Sequence, residues 1–97
     1  MKIVKNACYG GFGLSVAALN RLAEITGKSF NQCKEDYEWG GYEIRATPEL
    51  VQVVEELGKA ASGSCANLVV VEIPDDVEWD IEEYDGWETI EEVHRSW

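Results

Sequence analysis

The chain has 97 residues, of which 45% are hydrophobic, 28% charged and 10% aromatic, and its net charge is −11. This composition is typical of one folded domain spanning residues 1–97 and excludes a fully disordered chain. No segment approaches the roughly 20 apolar residues of a membrane span. The first five residues lack the apolar stretch of a secretion signal. We therefore expect a cytoplasmic protein without membrane contact.

The charge is distributed unevenly along the chain. Residues 1–34 contain five basic and one acidic residue, residues 35–71 contain two basic and seven acidic residues, and residues 72–97 contain eleven acidic residues and Arg95 as their one base. Such an acidic segment repels phosphate backbones, which disfavours direct nucleic-acid binding, and it attracts basic proteins. Solubility alone is the simpler explanation of this acidity.

Three cysteines, Cys8, Cys33 and Cys65, form no CxxC pair, which is typical of reduced thiols. Together with His94 they could supply the four ligands of a Cys3His zinc site, but structural zinc ligands usually come in closely spaced pairs, and here each ligand is far from the next. Buried apolar packing is the simpler interpretation, and no metal or cofactor is predicted. A catalytic Cys8–His94 pair would also need an orienting group and an oxyanion hole. We predict that the protein is not an enzyme.

The first two predicted elements are a strand at residues 3–8 and a helix at residues 16–26. The strand is a short run with β-branched residues that ends at a glycine-rich segment. Ser15 suits the N-cap of the helix, because its hydroxyl can accept a free amide of the first turn. Gly27 suits the position just after the last turn, where a left-handed conformation is usual.

The middle of the chain is less regular in pattern. Residues 28–41 are polar and mixed, and residues 42–46 predict either a short strand or an extended lead-in. Thr47 and Pro48 then predict a helix start, since proline is favoured at the first helical position. An apolar stripe follows at helical spacing, and the helix is predicted to end at Gly58 or near Gly63, of which the pattern favours Gly63.

The C-terminal third predicts strands. Residues 67–73 are almost continuously apolar, which is typical of a central strand covered on both faces. Residues 77–84 alternate, and Asp85-Gly86 is a type I′ hairpin signal, although residues 87–96 also fit a helical stripe. The hairpin would place three pairs opposite each other: Tyr84 and Trp87, Ile81 and Ile90, Asp80 and Glu91. The whole order predicts an α+β domain, with two helices on one face of a small, mostly antiparallel sheet and a C-terminal β-hairpin.

A glycine-rich loop before the first helix is one candidate site. Glycines allow a close backbone approach, and a helix N-terminus attracts anions. The loop matches neither GxGxxG nor GxxxxGK[ST], so a tight turn is the simpler interpretation. The candidate anion-binding residues are Gly10, Gly11, Gly13 and Ser15.

An acidic, aromatic surface on the hairpin is the second candidate site. Like charges directly opposite each other destabilise a sheet, so they are tolerated on a solvated face or retained because a basic partner uses them. Aromatic residues among acids are plausible interface anchors, with cross-strand packing as the simpler alternative. No calcium-loop spacing is present. The candidate partner-binding residues are Glu78, Asp80, Glu82, Glu83, Tyr84, Trp87, Glu88 and Glu91.

Two stretches carry a resemblance to a known group of proteins. They are KIVKNACYGGFGLS at residues 2–15, and ELVQVVEELGKAASG with LVVVEIPDDVEWDIEEYDG and EEVHRSW through Trp97. They resemble a widespread group of small proteins encoded by tailed phages and prophages. The chain departs from the group in its middle, where SFNQCKEDYEWGGYEIRATP stands in place of a longer segment. The resemblance implies a phage context and no particular mechanism.

Together these features give a leading hypothesis about function. Small acidic phage proteins often resemble inhibitors of host systems, including anti-CRISPR and other anti-defence proteins. We therefore expect a phage-encoded protein that docks on a basic host protein in the bacterial cytoplasm and blocks its nucleic-acid-binding surface. The alternatives are a nucleotide- or phosphate-binding protein using the glycine-rich loop, and a phage structural or assembly protein. The sequence leaves homo-oligomerisation open.

Overall fold

The computed structural model describes residues 1–92 and has an α+β fold. The described elements are β1 (Lys2–Asn6), α1 (Val16–Thr26), α2 (Phe30–Glu38), a 3-10 turn (Tyr42–Ala46), α3 (Pro48–Leu57), a second 3-10 turn (Gly58–Ala61), β2 (Leu68–Glu72), β3 (Trp79–Tyr84) and β4 (Trp87–Glu92). The predicted α+β class and the C-terminal hairpin are confirmed. Within residues 1–92 the fold differs in detail from the prediction, because it contains three α-helices and divides its strands between two antiparallel pairs.

Helix α1 has the bounds and caps that its sequence predicts. The Ser15 hydroxyl accepts a hydrogen bond from the Ala18 amide at 3.1 Å. Gly27 follows the last turn with a φ of 74°, a conformation that glycine adopts without a Cβ penalty. Local chemistry therefore determines both ends of this helix.

Helix α2 was not predicted from the sequence. Ser29 caps it by accepting a hydrogen bond from the Gln32 amide at 3.1 Å. Cys33 and Tyr37, four residues apart, are its two buried residues. Phe30, Cys33 and Tyr37 are the three apolar positions of this otherwise polar nine-residue helix, and their packing against the core decides this element.

The predicted strand or extended lead-in at residues 42–46 is wrong, because this segment forms a 3-10 turn. Arg45 lies within it and is only 8% exposed. Thr47 and Pro48 begin α3 as predicted, although the Thr47 hydroxyl donates to the Ile44 carbonyl and makes no cap bond. The α-helix ends at Leu57, the earlier of the two predicted ends.

Strand β2 pairs with β1 in an antiparallel register that places Val4 opposite Val70. The prediction of a central strand covered on both faces is wrong for the described residues: β2 belongs to a two-stranded sheet, and three of its residues are only partly buried. Helices α1 and α3 pack against each other, and α3 contacts this sheet. The core between them includes the fully buried residues Val4, Leu22, Leu50 and Val53. Each such side chain contributes roughly 1.5–3 kcal/mol through burial.

Strands β3 and β4 form the predicted hairpin. Tyr84 pairs with Trp87, Ile81 with Ile90, and Asp80 with Glu91, which confirms all three predicted pairs. Asp85 and Gly86 connect the strands with φ values of 49° and 90°, as a type I′ turn requires. Residues 87–92 are therefore strand, and the predicted element's remaining residues, 93–96, lie outside the described part of the chain.

Candidate functional site

The two faces of the hairpin differ in exposure. Alternation places Asp80, Glu82 and Tyr84 of β3 on one face, and the register adds Trp87, Thr89 and Glu91 of β4 to it. All six of these side chains are exposed. On the other face, Ile81 and Glu88 are 5% and 3% exposed. The hairpin therefore packs on the domain through one face and presents the other to solvent.

Glu88 does not belong to the exposed surface on which the sequence analysis placed it. Its carboxylate accepts hydrogen bonds from both terminal nitrogens of Arg45, the Nη2–Oε2 bond measuring 2.9 Å. Oε1 also accepts the Asn6 amide at 2.8 Å. The Arg45 guanidinium carbon lies 3.5 Å from the centre of the Phe12 ring. Glu88 is thus a buried anchor of the hairpin, and its place in the predicted partner-binding set is wrong.

Asn6 completes this anchor. Its Nδ2 donates to the carbonyls of Cys8 and Gly86, each at 2.7 Å, and its Oδ1 accepts the Asn67 amide at 2.8 Å. One fully buried side chain therefore connects β1, the segment before β2, and the hairpin turn. Because these buried polar groups make hydrogen bonds to one another, they fix the position of the hairpin on the domain.

Three aromatic side chains meet at the tip of the exposed face. Tyr84 is 74% exposed and Trp87 is 39% exposed, so neither serves mainly as core. Tyr9, from the loop after β1, is 66% exposed and lies with its ring centre 5.3 Å from that of Trp87, at an interplanar angle of 44°. The sequence analysis missed Tyr9. Its position beside the glycines of that loop was the available signal, since glycine allows a loop to approach a turn closely.

A cavity of about 260 Å³ lies beside this aromatic group. It is bordered by aromatic rings, a threonine and three glutamates: Tyr9, Tyr84, Trp87, Thr89, Glu82, Glu83 and Glu91. Its volume is below the roughly 300–1,000 Å³ typical of drug-sized ligand sites. The cavity therefore suits the end of one side chain better than a nucleotide.

The acids of the hairpin region have no salt bridges like those of some helical carboxylates. On the helical part, three carboxylates pair with cations: Glu55 with Lys2, Glu56 with Arg21 and Asp36 with Lys28. Hydrogen bonding to these cations lowers the pKa of Glu56 and of Asp36. Among residues 1–92, no salt bridge involves the five remaining predicted acids of the hairpin region, which are Glu78, Asp80, Glu82, Glu83 and Glu91. Within residues 1–92, these five acids therefore form no ion pair.

The glycine-rich loop uses its own polar groups internally. The Leu14 amide donates to Oε1 of Glu38 at 3.1 Å, and the Ser15 amide donates to the Ala61 carbonyl at 2.9 Å. The Ser15 hydroxyl also donates to the Ala60 carbonyl. A carboxylate of the chain itself thus lies where a bound anion would accept its hydrogen bonds.

The glycines of this loop have structural roles. Gly11 has a φ of 95°, and a Cβ on Gly10 would overlap the Cys65 carbonyl. The space that this carbonyl needs explains why residue 10 is a glycine, without any ligand. Close packing does not explain Gly13, because no atom lies within 4 Å of its Cβ position.

The three cysteines differ in exposure: Cys33 is buried, Cys8 is partly buried and Cys65 is exposed. In the described part of the chain, no three histidine, cysteine, aspartate or glutamate side chains come together as a metal site. His94, the proposed partner of Cys8, lies outside the described residues.

No helix within residues 1–92 has the length and apolar character needed to cross a membrane. Comparisons with models of protein families, with curated proteins and with solved structures find no match. The geometry of the hairpin and its aromatic cavity is therefore the basis for the functional argument.

Proposed function

We propose that this chain is a binding protein that docks on a basic surface of another protein through the exposed face of its C-terminal hairpin. The observation that carries the proposal is the combination on one face of exposed aromatic rings, Tyr84 and Trp87, with three acids, Asp80, Glu82 and Glu91, that form no salt bridge within residues 1–92. Aromatic side chains supply most binding energy at interfaces, and surrounding charges direct the encounter.

The architecture supports this role because the face is held rigidly. The buried Arg45–Glu88 pair and the Asn6 hydrogen bonds fix the hairpin on the domain. A preorganised surface loses less conformational entropy on binding than a mobile one. The three acids therefore present a fixed negative field to the partner.

We propose further that the partner is a bacterial nucleic-acid-binding protein and that binding blocks it by occupying its basic groove. The acids of this face favour a basic groove and repel nucleic acid itself. The phage context implied by the sequence resemblance makes a host defence protein the relevant class. The nucleotide-binding alternative is less favoured, because Glu38 already accepts the Leu14 amide at the loop.

The test measures binding to a panel of purified bacterial nucleic-acid-binding proteins with basic grooves, at low and high salt. It compares the natural chain with a variant in which Asp80, Glu82 and Glu91 are all changed to lysine. A matched control changes three exposed acids of the helical part, Glu24, Glu35 and Glu43, to lysine, which alters the net charge equally.

We expect the natural chain and the matched control to bind one panel member and to displace duplex DNA from it. Binding should weaken with salt, since exposed charges are screened, and the hairpin variant should not bind. Equal loss in both variants would show that only net charge matters and would overturn the proposal. Binding that is indifferent to salt and to the hairpin substitutions would overturn it as well.

A further inference from the structure

We infer that the cavity between Tyr9 and the hairpin is a receptor for a single arginine side chain of the basic partner. This inference rests on the proposed function and names the chemical group that the face recognises. It concerns the aromatic cavity specifically, whereas the wider acidic face determines attraction to basic proteins in general.

The walls of the cavity suit a flat cation. The rings of Tyr9 and Trp87 pack against each other, with their centres 5.3 Å apart and their planes tilted by 44°, and Tyr84 borders the same space. A guanidinium would therefore stack on the cavity side of one ring and not between the two. Ring faces attract cations through their quadrupole, and guanidinium groups also stack on them. A volume of about 260 Å³ is sufficient for the end of one side chain.

Carboxylates beside the rings supply the counter-charge. Glu82 and Glu91 border the cavity and lie on the same face of the hairpin. Neither has a salt bridge to a residue of the described chain. A guanidinium stacked on Trp87 could donate hydrogen bonds to one of these carboxylates while its charge offsets the repulsion within the cluster.

The chain already contains this arrangement once, in its interior. There the Arg45 guanidinium stacks on Phe12 at 3.5 Å and donates two hydrogen bonds to Glu88. Tyr42 lies on the same guanidinium at 5.6 Å. The cavity offers the same three components, an aromatic face, a second ring and a carboxylate, and no arginine of residues 1–92 borders it.

Arginine fits this site better than lysine. Its guanidinium is planar and weakly hydrated, and it can stack on a ring and bond a carboxylate at the same time. The lysine ammonium is a strongly hydrated point charge that cannot present a flat face. We therefore expect discrimination between two peptides of equal charge.

The experiment uses the full chain and two synthetic peptides, which contain four arginines or four lysines separated by glycine and serine. Affinities are measured by calorimetry at low salt for the natural chain, Tyr9→Ala, Glu82→Gln and the control Trp39→Ala. Tyr9 lies outside the hairpin, so its truncation tests the ring without altering the β3–β4 pairing. Trp39 is 78% exposed and does not border the cavity.

We expect the natural chain to prefer the arginine peptide by about three- to tenfold, which corresponds to one cation–π contact. Tyr9→Ala should remove most of this preference, Glu82→Gln should reduce it, and Trp39→Ala should leave it unchanged. Circular dichroism confirms that each variant is folded.

Two failures are distinguishable. Equal affinity for both peptides, or an unchanged arginine preference in Tyr9→Ala, would overturn the receptor assignment. The proposed function would survive that result if the lysine substitutions at Asp80, Glu82 and Glu91 still abolished protein binding. Loss of arginine preference in Trp39→Ala to the same extent as in Tyr9→Ala would overturn the assignment as well, because it would place the stacking elsewhere.

Discussion

Glu88 and Arg45 form a bidentate ion pair in the interior of the domain, although 43 residues separate them in the sequence. Their side chains are only 4% and 9% exposed. The pair joins the C-terminal hairpin to the 3-10 turn that precedes α3. One ion pair therefore connects the candidate binding face to the helical core.

Replacing Glu88 tests how far the hairpin depends on this pair. Glu88→Gln keeps the side-chain size but leaves the Arg45 charge buried without a counter-charge. Removing one partner of a buried pair typically costs about 3–5 kcal/mol. We expect a loss of that order in the free energy of unfolding, measured by urea denaturation.

The matched control is Glu83→Gln, because Glu83 lies opposite Glu88 on the neighbouring strand and is exposed. Its substitution should change the free energy of unfolding by no more than about 0.5 kcal/mol. If the two variants were equally stable, the buried pair would not anchor the hairpin.

Local chemistry explains why the hairpin could be predicted from sequence. Asp85-Gly86 determines the turn type, and the turn determines which residues face each other. The alternation of apolar and acidic residues then assigns each to a face. The exposure of Tyr84, Asp80, Glu82 and Glu91 follows from these short-range rules.

Long-range pairing explains what could not be predicted. Glu88 carries the same charge as its exposed neighbours, and nothing nearby in the sequence indicates that Arg45 lies within reach. Tyr9 joins the aromatic group only because its loop contacts the hairpin turn. Helix α2 likewise depends on the tertiary burial of Cys33 and Tyr37. In each case a contact distant in sequence outweighs the local pattern.

The glycine of the hairpin turn offers a test of that loop contact. Gly86 has a φ of 90°, and a Cβ there would lie 2.4 Å from the Gly11 amide nitrogen and 2.6 Å from the Tyr9 carbonyl. Gly86→Ala therefore combines backbone strain with a steric clash. We expect a loss of about 2–4 kcal/mol in the free energy of unfolding.

Gly27→Ala separates the two causes, because Gly27 also has a positive φ, 74°, but no atom lies within 4 Å of its Cβ position. It should lose about 1–2 kcal/mol, from backbone strain alone. Equal losses in thermal or urea unfolding would argue against close packing between the turn and the Tyr9 loop.

The buried Asn6 side chain provides a third prediction. Asn6→Asp replaces the Nδ2 donor by an acceptor that faces the Cys8 and Gly86 carbonyls, and it adds a negative charge near Glu88. A buried unsatisfied polar group costs about 1–3 kcal/mol, and a charged one more. We expect a loss of at least 3 kcal/mol on this basis.

Asn20→Asp is the reference substitution, since Asn20 lies on α1 and is exposed. It makes the same chemical change and should alter the free energy of unfolding by about 0.5 kcal/mol or less. The contradictory result would be two variants that unfold at the same urea concentration.

The raised pKa of the Tyr37 hydroxyl predicts how the free energy of unfolding changes at high pH. Burial and a hydrogen bond from its hydroxyl to Glu49, at 3.1 Å, raise the pKa of Tyr37 to about 12. In the unfolded chain this pKa is near 10. The folded state therefore retains a proton that the unfolded state releases, and the contribution of Tyr37 to stability is constant below about pH 10 and declines as the pH rises towards 12.

Urea denaturation of the natural chain across this window should show the decline. Tyr37→Phe should be less stable by about 1 kcal/mol at neutral pH, because it lacks the hydrogen bond, and its stability should fall less steeply between pH 10 and 12. Parallel declines in the two proteins would assign the alkaline transition to other groups.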